Sequence, residues 1–299
     1  MRILLTGAGG YIGLHIAREL LDAGHDLTVL VRSPHKLGPL ARVPRLRVVT
    51  ADLEHQARVA QSLEGQQVCV HAALIWGDAD TELELRDTSI SAKLFEAAGQ
   101  AGVKRCLYIS SAAVHRPFSA EMHEDDRLST SDVYGATKAA TELFLRAACA
   151  KHGMTGVVMR PGPTVGAPAF PSGSFRTDRR IGELMLAAKE GRPLEVIEGE
   201  GRQLSDVLAV ATATRLLASL EQPHPTYLCV DRDILTWEWI ARQVVACMSS
   251  SSEIRALPRK EAGPVPRFRT ERLQELLGGP ADARQSLLAH LQHLAQSMR

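Results

Sequence analysis

Short apolar runs alternate with helix-like amphipathic stretches through the first half of the chain. The runs recur near residues 2–6, 27–31, 46–50, 67–71, 106–110 and 156–160. They are nearly continuous in apolar residues, which is typical of parallel strands buried on both faces. Parallel strands need crossover connections, and the stretches between the runs have helical spacing. The pattern predicts an α/β fold with a doubly wound parallel sheet.

The pattern changes after Pro161. Residues 161–174 are rich in Pro, Gly and Ser, which indicates a loop. A helical pattern follows over about 177–190, and the apolar run 226–230 predicts one further strand. We therefore predict two units, a Rossmann-type α/β domain formed by residues 1–165 plus 203–230 and a smaller C-terminal lobe formed by 166–202 plus 231–299.

Composition narrows the class of protein. The chain has 299 residues, 45% hydrophobic and 23% charged, and a net charge of +1, so its overall charge does not suggest nucleic-acid or membrane binding. Because the sequence opens directly on its first apolar run, we expect no signal peptide. The five cysteines are odd in number and lack metal-ligand spacing. We expect a cytoplasmic protein with reduced thiols and no bound metal.

A glycine-rich turn follows the first apolar run. Gly7 suits a tight turn, Gly10 lets the backbone approach a pyrophosphate, and Gly13 lets the next helix pack closely on the strand. The helix N-terminus would offer N–H donors and a positive dipole end to phosphates. A strand, a glycine turn and a helix in this order predict a dinucleotide-binding loop.

The end of the second apolar run bears on the choice of coenzyme. An acidic residue there would bind the ribose 2′-hydroxyl of NAD. The chain instead has Arg32, with Lys36 shortly after it. A guanidinium can bind a 2′-phosphate through two hydrogen bonds, so NADP(H) is favoured and NAD(H) stays possible. The alternative is that Arg32 is a solvated loop residue.

Tyr134 and Lys138 are candidates for proton chemistry. Their spacing of four residues places them on one face of a helix. A nearby cation lowers the pKa of a phenol, which would make Tyr134 a proton donor or acceptor for an alcohol and ketone pair. Ser111 precedes them, just past a predicted strand. By itself the spacing of Tyr134 and Lys138 also fits an ordinary pair on a helix surface. It indicates catalysis only because the chain also has a predicted dinucleotide-binding loop.

Taken together, these motifs resemble the extended short-chain dehydrogenase/reductase family, also called the NAD-dependent epimerase/dehydratase family, over nearly all of the chain. The motifs that carry the resemblance are Thr6–Gly13, Ala51–Leu53, Val70–Ala73, Ser110–Val114, Tyr134 with Lys138, Arg160–Gly166 and Thr270–Gly278. The resemblance implies that Ser111, Tyr134 and Lys138 are catalytic. It implies a coenzyme site formed by Gly7, Gly9, Gly10, Tyr11, Ile12, Gly13, Arg32, Lys36, Asp52, Leu53, Ala72, Ala73, Tyr134, Lys138 and Pro161.

Two departures from the family pattern narrow the chemistry. Ala112 and Ala113 stand where sugar dehydratases of the family carry an acid pair, so elimination of water is disfavoured. Ser205 stands where enzymes acting on nucleotide sugars have an arginine for the diphosphate. Loss of that charge-assisted bond costs about 1.5–3 kcal/mol. Other arginines could substitute, namely Arg176, Arg179, Arg180 and Arg202.

Hydride transfer is the chemistry that these departures leave. The first hypothesis is an NADP(H)-dependent oxidoreductase acting on a carbonyl or secondary alcohol of a small molecule. The alternative is a nucleotide-sugar 4-epimerase with tightly held NAD. A non-catalytic NADP(H)-sensing protein ranks last, because the chain keeps both Tyr134 and Lys138.

Further expectations concern the substrate and a second subunit. Residues that could line the substrate pocket are Trp76, Ala112, His115 and Arg176, although a solvated loop position is favoured for His115. The resemblance also implies a homodimer formed through two helices near 82–101 and 132–151. That pair would carry Tyr134 and Lys138, so dimerisation would brace the site.

Overall fold

The computed structural model describes residues 1–74, 81–259 and 264–298. Within them, seven strands form one sheet, namely β1 (Arg2–Thr6), β2 (Asp26–Val31), β3 (Leu46–Thr50), β4 (Val68–His71), β5 (Arg105–Ile109), β6 (Thr155–Pro161) and β7 (Thr226–Cys229). Their spatial order is β3-β2-β1-β4-β5-β6-β7, and every neighbouring pair is parallel. The predicted doubly wound sheet is confirmed. Its order reverses between β1 and β4, where folds of this class bind ligands.

The helices follow the strands as crossovers and then continue beyond the sheet. They are α1 (Tyr11–Asp22), α2 (Gln56–Leu63), α3 (Thr81–Gln100), α4 (Val133–His152), α5 (Arg179–Lys189), α6 (Val207–Ser219), α7 (Trp237–Met248), α8 (Glu271–Leu277) and α9 (Ala283–Ser297). Short 3-10 segments lie at Pro34–Arg42 and Ala112–His115. In the described ranges, none of the helices combines the length and apolar content that crossing a bilayer requires.

Both faces of the sheet are buried, which explains its unbroken apolar strands. Along β1, Ile3 and Leu5 belong to the core that includes residues of α1 and α6. Leu4 points to the opposite face, into the core that includes residues of α3 and α4. Successive side chains of a strand alternate between faces, so a strand covered on both sides must be apolar at each position.

A further hydrophobic cluster lies around Trp237, which is almost completely buried. Its residues come mainly from α5, α7 and α9, together with the parallel strand pair Leu194–Ile197 and Ile254–Leu257. Helix α5 is shorter than the predicted 177–190. It begins where the Asp178 carboxylate accepts a hydrogen bond from the Arg180 N–H, and it ends before Gly191, whose φ is +69°. The division of the chain into two units stays a prediction.

Candidate active site

A single cleft of about 1030 Å³ runs along the carboxyl ends of the strands. Every predicted coenzyme-binding residue except Lys138 lies on its wall, and so does Ser111. These residues come from the ends of β1 to β6 and from the first turn of α4. Residues more than 100 positions apart therefore meet at one edge of the sheet, where such folds bind dinucleotides.

The glycine loop has the geometry that its sequence predicts. Gly7 has a φ of +76°, and a Cβ atom added to it would lie 2.4 Å from the Ala73 nitrogen. A Cβ atom on Gly13 would lie 2.0 Å from the Gly7 carbonyl oxygen. Any side chain at either position would therefore push β1, β4 and α1 apart.

The first turn of α1 faces the cleft with backbone groups alone. The N-cap residue is Gly10, and among the described residues no side chain caps this turn. The unpaired N–H groups of a helix N-terminus bind phosphate oxygens. The loop therefore fits the pyrophosphate of a dinucleotide.

A segment after β6 is fastened across this loop. The Ser174 hydroxyl donates a hydrogen bond to the Gly9 carbonyl oxygen at 2.6 Å, and the Tyr11 hydroxyl donates one to the Gly166 carbonyl oxygen at 2.8 Å. Ser174 also lies on the cleft wall. No local sequence pattern indicates this role of Ser174, because its partner Gly9 is 165 residues away.

At the far end of β2, Arg32 lies on the cleft wall near an acidic residue. Its Nη1 atom is 3.9 Å from Oδ2 of Asp52, and the two side chains are 74% and 43% exposed. Lys36 lies beside Gly9 on the same wall. A long, exposed ion pair of this kind contributes little stability, so Arg32 can turn toward a ligand at small cost.

Ser111 and Tyr134 lie on the wall of the same cleft because α4 begins close to the loop after β5. The Asp132 carboxylate caps α4 by accepting a hydrogen bond from the Gly135 N–H at 2.8 Å. A Cβ atom on Gly135 would lie 2.8 Å from the Ala113 carbonyl oxygen, so glycine is what lets the helix approach this loop. The hydroxyl of Ser111 accepts a hydrogen bond from the Ala113 N–H at 3.2 Å. Its proton has no acceptor among the described residues, so it can be donated to a ligand.

Lys138 lies one turn further along α4 and is almost completely buried. Its Nζ atom is 5.0 Å from the centroid of the Tyr108 ring, which attracts the ammonium electrostatically. Tyr108 in turn stacks on His71, with the ring centroids 5.5 Å apart. The lysine is therefore held behind the cleft wall, on the helix that carries Tyr134.

His71 is neutral in this arrangement. The Ser91 hydroxyl donates to the Asp87 carbonyl oxygen, so its oxygen accepts from Nε2 of His71 at 2.8 Å. Nδ1 then accepts from the Thr6 hydroxyl at 2.6 Å. Burial, with a further contribution from the charge of Lys138, lowers the pKa of His71 to about 3. His71 therefore adds no positive charge near Lys138.

His115 does not line the cleft, and it is not a solvated loop residue either. It is 4% exposed, and its Nε2 atom accepts a hydrogen bond from Nη1 of Arg160 at 3.0 Å. Burial, followed by the charge of Arg160, lowers the pKa of His115 to about 4. Arg160 is itself fully buried and binds the Glu142 carboxylate through two hydrogen bonds of 3.0 and 2.7 Å.

The remaining candidates for the substrate pocket divide in two. Ala112 and Arg176 lie on the cleft wall, whereas Trp76 falls outside the described residues. Arg179 and Arg202, two of the arginines considered for the diphosphate, also lie on the cleft wall, together with Arg116, Phe118 and Phe268, which the sequence analysis did not single out. In residues 1–74, 81–259 and 264–298, no three His, Cys, Asp or Glu side chains gather as metal ligands.

Comparison with known proteins agrees with this geometry. The model of the NAD-dependent epimerase/dehydratase family matches residues 3–226. The chain belongs to this family. It is thus an enzyme of the short-chain dehydrogenase/reductase type, as the motifs around Gly7, Ser111 and Tyr134 predict.

One relative of this chain is a dTDP-4-dehydro-6-deoxy-D-allose reductase of Streptomyces bikiniensis. It is 26% identical over 283 residues, which cover 87% of this chain and 85% of the relative. A 3-beta-hydroxysteroid dehydrogenase of Mycolicibacterium neoaurum is 30% identical over 173 residues. That match covers 54% of this chain and 46% of the relative, so the chain matches less than half of that protein's length.

A similar solved structure supports the fold of this epimerase/dehydratase-family chain. The UDP-glucuronic acid 4-epimerase of Bacillus cereus, in complex with NAD, has a TM-score of 0.84 and 18% sequence identity. The match covers 100% of both chains. At this identity the likeness establishes a shared fold.

Proposed function

We propose that the protein is an NADP(H)-dependent oxidoreductase that acts on a carbonyl or secondary alcohol of a small molecule. The observation that supports it most strongly is the meeting of Ser111 and Tyr134 on the wall that also carries the glycine loop. Lys138 lies buried one turn behind Tyr134, on the same helix. An unused hydroxyl proton, a phenol and an ammonium are the groups that a carbonyl reduction requires.

The residues have distinct roles in this proposal. The bound coenzyme supplies or accepts a hydride. Gly7, Gly10 and the first turn of α1 hold its pyrophosphate, and Asp52 with Leu53 contact the adenine. Ser111 donates a hydrogen bond to the substrate oxygen. Tyr134 gives a proton to that oxygen during reduction, or removes it during oxidation, and the charge of Lys138 favours the ionised phenol.

The turn after Ser111 disfavours elimination of water and leaves hydride transfer open. Ala112 and Ala113 lie there on the cleft wall and offer no second acid or base, which neither a net redox reaction nor a 4-epimerisation requires. The choice of a net oxidation or reduction follows the sequence relatives instead. Both sequence relatives described above carry the names of a reductase and a dehydrogenase. The alternative, a nucleotide-sugar 4-epimerase with tightly held NAD, is supported by the family description and by the name of the similar Bacillus cereus structure.

The coenzyme that accompanies the purified protein separates these two functions. An epimerase regenerates its coenzyme in each cycle and retains it, whereas a reductase must exchange it. We expect protein dialysed and then denatured to release little dinucleotide, and the native protein to bind added NADPH reversibly. Stoichiometric NAD in the dialysed protein would favour the epimerase.

The preference for NADP(H) is expected to depend on Arg32. Because a charge-assisted bond contributes about 1.5–3 kcal/mol, Arg32→Ala should weaken NADP⁺ binding about 10- to 150-fold and change NAD⁺ binding little. Both dissociation constants can be measured by isothermal titration calorimetry. Arg45→Ala is the matched control, since Arg45 is also an exposed arginine near one carboxylate, Asp26, but lies outside the cleft. An equal loss for both coenzymes in Arg32→Ala would contradict the assignment.

We also propose that two copies of the chain associate through α3 and α4. Exposed apolar side chains on these helices include Leu85, Leu143 and Phe144, at 67%, 57% and 49% exposure. The proposed homodimer would cover these side chains.

The proposed division of labour follows the two predicted units. Residues 1–165 plus 203–230 would hold the coenzyme, and residues 166–202 plus 231–299 would hold the substrate. None of the five cysteines, all within the described residues, forms a disulfide, which suits a reducing compartment such as the cytoplasm.

Light scattering tests this association. We expect the unaltered chain to have about twice its chain mass of 32.5 kDa, because covering these apolar side chains removes them from water. Leu143→Glu should shift it to the single-chain mass by placing a charge in the interface. Leu257→Glu alters another exposed leucine far from α4 and should leave the mass unchanged. A single-chain mass for the unaltered protein would refute the proposal.

A further inference from the structure

We propose that Arg116 and Arg202 form an anion-binding subsite at the substrate end of the cleft. This proposal rests on the proposed function and specifies its substrate. The substrate is then a compact carbonyl compound or alcohol that carries a carboxylate or a phosphate close to the reacting carbon.

Apart from the Ser111 hydroxyl and the Tyr134 phenol, which would meet the reacting oxygen, Gln203, Thr164 and Ser174 are uncharged side-chain donors on the cleft wall that the protein uses internally. Gln203 donates to the carbonyl oxygens of Asp231 and Phe268 at 2.7 and 2.9 Å, and its own oxygen accepts from the Phe268 N–H at 2.6 Å. The Thr164 hydroxyl donates to the Gly162 carbonyl oxygen, and the Ser174 hydroxyl to the Gly9 carbonyl oxygen. Substrate recognition at this end therefore falls to guanidinium groups.

Arg202 is held rigidly with most of its donors still available. Its guanidinium carbon lies 4.7 Å from the centroid of the buried Trp237 ring, and its side chain is 36% exposed. Nη1 is 3.1 Å from Oδ2 of Asp178. A guanidinium has five N–H donors, and among the described residues Asp178 is the hydrogen-bond partner that Arg202 has. An arginine that packs against an aromatic ring loses less freedom when it binds an anion than a fully solvated one.

The charge around Arg202 also favours an anion. Arg116 and Arg176 lie on the same cleft wall, and Arg180 lies 4.2 Å from the same Trp237 ring. Burial lowers the pKa of the Arg202 guanidinium, the charge of Asp178 raises it, the charges of Arg180 and Arg116 lower it, and the charge of Glu200 raises it. An anion placed here relieves the repulsion between these cations.

Arg116 connects this subsite to the proton-transfer groups. Its Nη1 atom donates to Oδ2 of Asp132 at 3.1 Å, and the other oxygen of Asp132 caps the helix that carries Tyr134. Arg116 also follows Ser111 after a single 3-10 turn. Its side chain is 48% exposed, and Phe118 lies beneath it. An anion bound by Arg116 would therefore lie near the reacting hydroxyls, which favours a compact substrate.

Ser205 makes a nucleotide sugar the less favoured substrate. It is fully buried, its hydroxyl donates to the Cys229 carbonyl oxygen at 2.6 Å, and it accepts from the Gly162 N–H at 2.8 Å. It ties the loop after β6 to β7 and has no donor left for a diphosphate. The position at which the resemblance implies a diphosphate contact is therefore structural in this chain.

Titration calorimetry on the NADP⁺-saturated protein tests the subsite, because the coenzyme then occupies Arg32 and the glycine loop. The probes are malonate, inorganic phosphate and UDP. We expect malonate or phosphate to bind more tightly than UDP, and Arg116→Gln and Arg202→Gln each to weaken that binding about tenfold or more. Tighter binding of malonate would indicate a carboxylate substrate, and tighter binding of phosphate a phosphorylated one.

The controls separate this proposal from the proposed function. Arg255→Gln removes an exposed arginine with one carboxylate partner outside the cleft and should leave binding of the probes unchanged. Arg116→Lys keeps the positive charge and should restore part of the affinity for the probes. It replaces Arg116→Gln in the test if that variant does not fold. Unchanged binding in both glutamine variants, or tighter binding of UDP, would overturn the subsite. Failure of NADP⁺ to bind would instead contradict the proposed function, and the same titrations on the coenzyme-free protein would still test the subsite.

Discussion

Replacing Tyr134 by phenylalanine is expected to lower turnover about 10²- to 10⁴-fold and to leave coenzyme binding unchanged. The phenol is the proposed proton donor, and it lies on the cleft wall. Ala112 and Ala113, on the turn after Ser111, cannot replace it as an acid. Phenylalanine keeps the ring and its packing but has no proton to transfer. Turnover can be followed by nicotinamide absorbance on a panel of carbonyl compounds that bear a carboxylate or phosphate, and NADP⁺ affinity by calorimetry.

Tyr227→Phe is the matched control for this substitution. Tyr227 is buried and lies outside the cleft, where its oxygen accepts a hydrogen bond from the His224 N–H at 3.0 Å. Its loss should change turnover less than twofold. Turnover of Tyr134→Phe at the level of Tyr227→Phe would show that the proton travels by another route.

Replacing Arg160 by methionine is expected to lower the free energy of unfolding by about 3–5 kcal/mol. The side chains of Arg160 and Glu142 are both 0% exposed, so the change leaves a carboxylate in the core without its cation. It also removes the hydrogen bonds from Arg160 to His115 and to the Glu124 carbonyl oxygen. Unfolding in urea, monitored by circular dichroism, measures the loss.

Two further variants show whether burial of the ion pair is the reason. Arg215→Met breaks a similar pair, Arg215 with Glu19, whose side chains are about one-third exposed, and should cost at most about 1 kcal/mol. Combining Arg160→Met with Glu142→Leu should recover part of the loss, because it removes the unpaired carboxylate. Equal losses for Arg160→Met and Arg215→Met would contradict the account.

Local patterns were sufficient to predict much of this molecule. Strands that are buried on both faces must be apolar at nearly every position, so short apolar runs mark them in the sequence. The predicted strand positions agree with the structure to within a residue or so. The glycine loop is also local, since Gly7 and Gly13 meet across one turn. The sequence therefore predicted most of the residues that line this end of the cleft, and their binding of a coenzyme stays a prediction.

The substrate end depends on contacts that are distant in sequence. Arg160 is 45 residues from His115, and their hydrogen bond draws the histidine away from the cleft and into the core. Arg116, Arg202 and Phe268 form one wall, but each belongs to a separate segment with no shared motif. Lys138 turns toward Tyr108 because an aromatic ring of β5 lies beneath it, which the helical spacing alone did not reveal.

A crystal structure of the protein with bound NADPH tests the central claim most directly. The account predicts a pyrophosphate against the first turn of α1 and a nicotinamide ring beside Ser111 and Tyr134. Its C4 atom should leave room for a substrate carbon at about 3–3.5 Å. A dinucleotide bound outside this cleft, or a nicotinamide ring out of reach of both hydroxyls, would contradict the account.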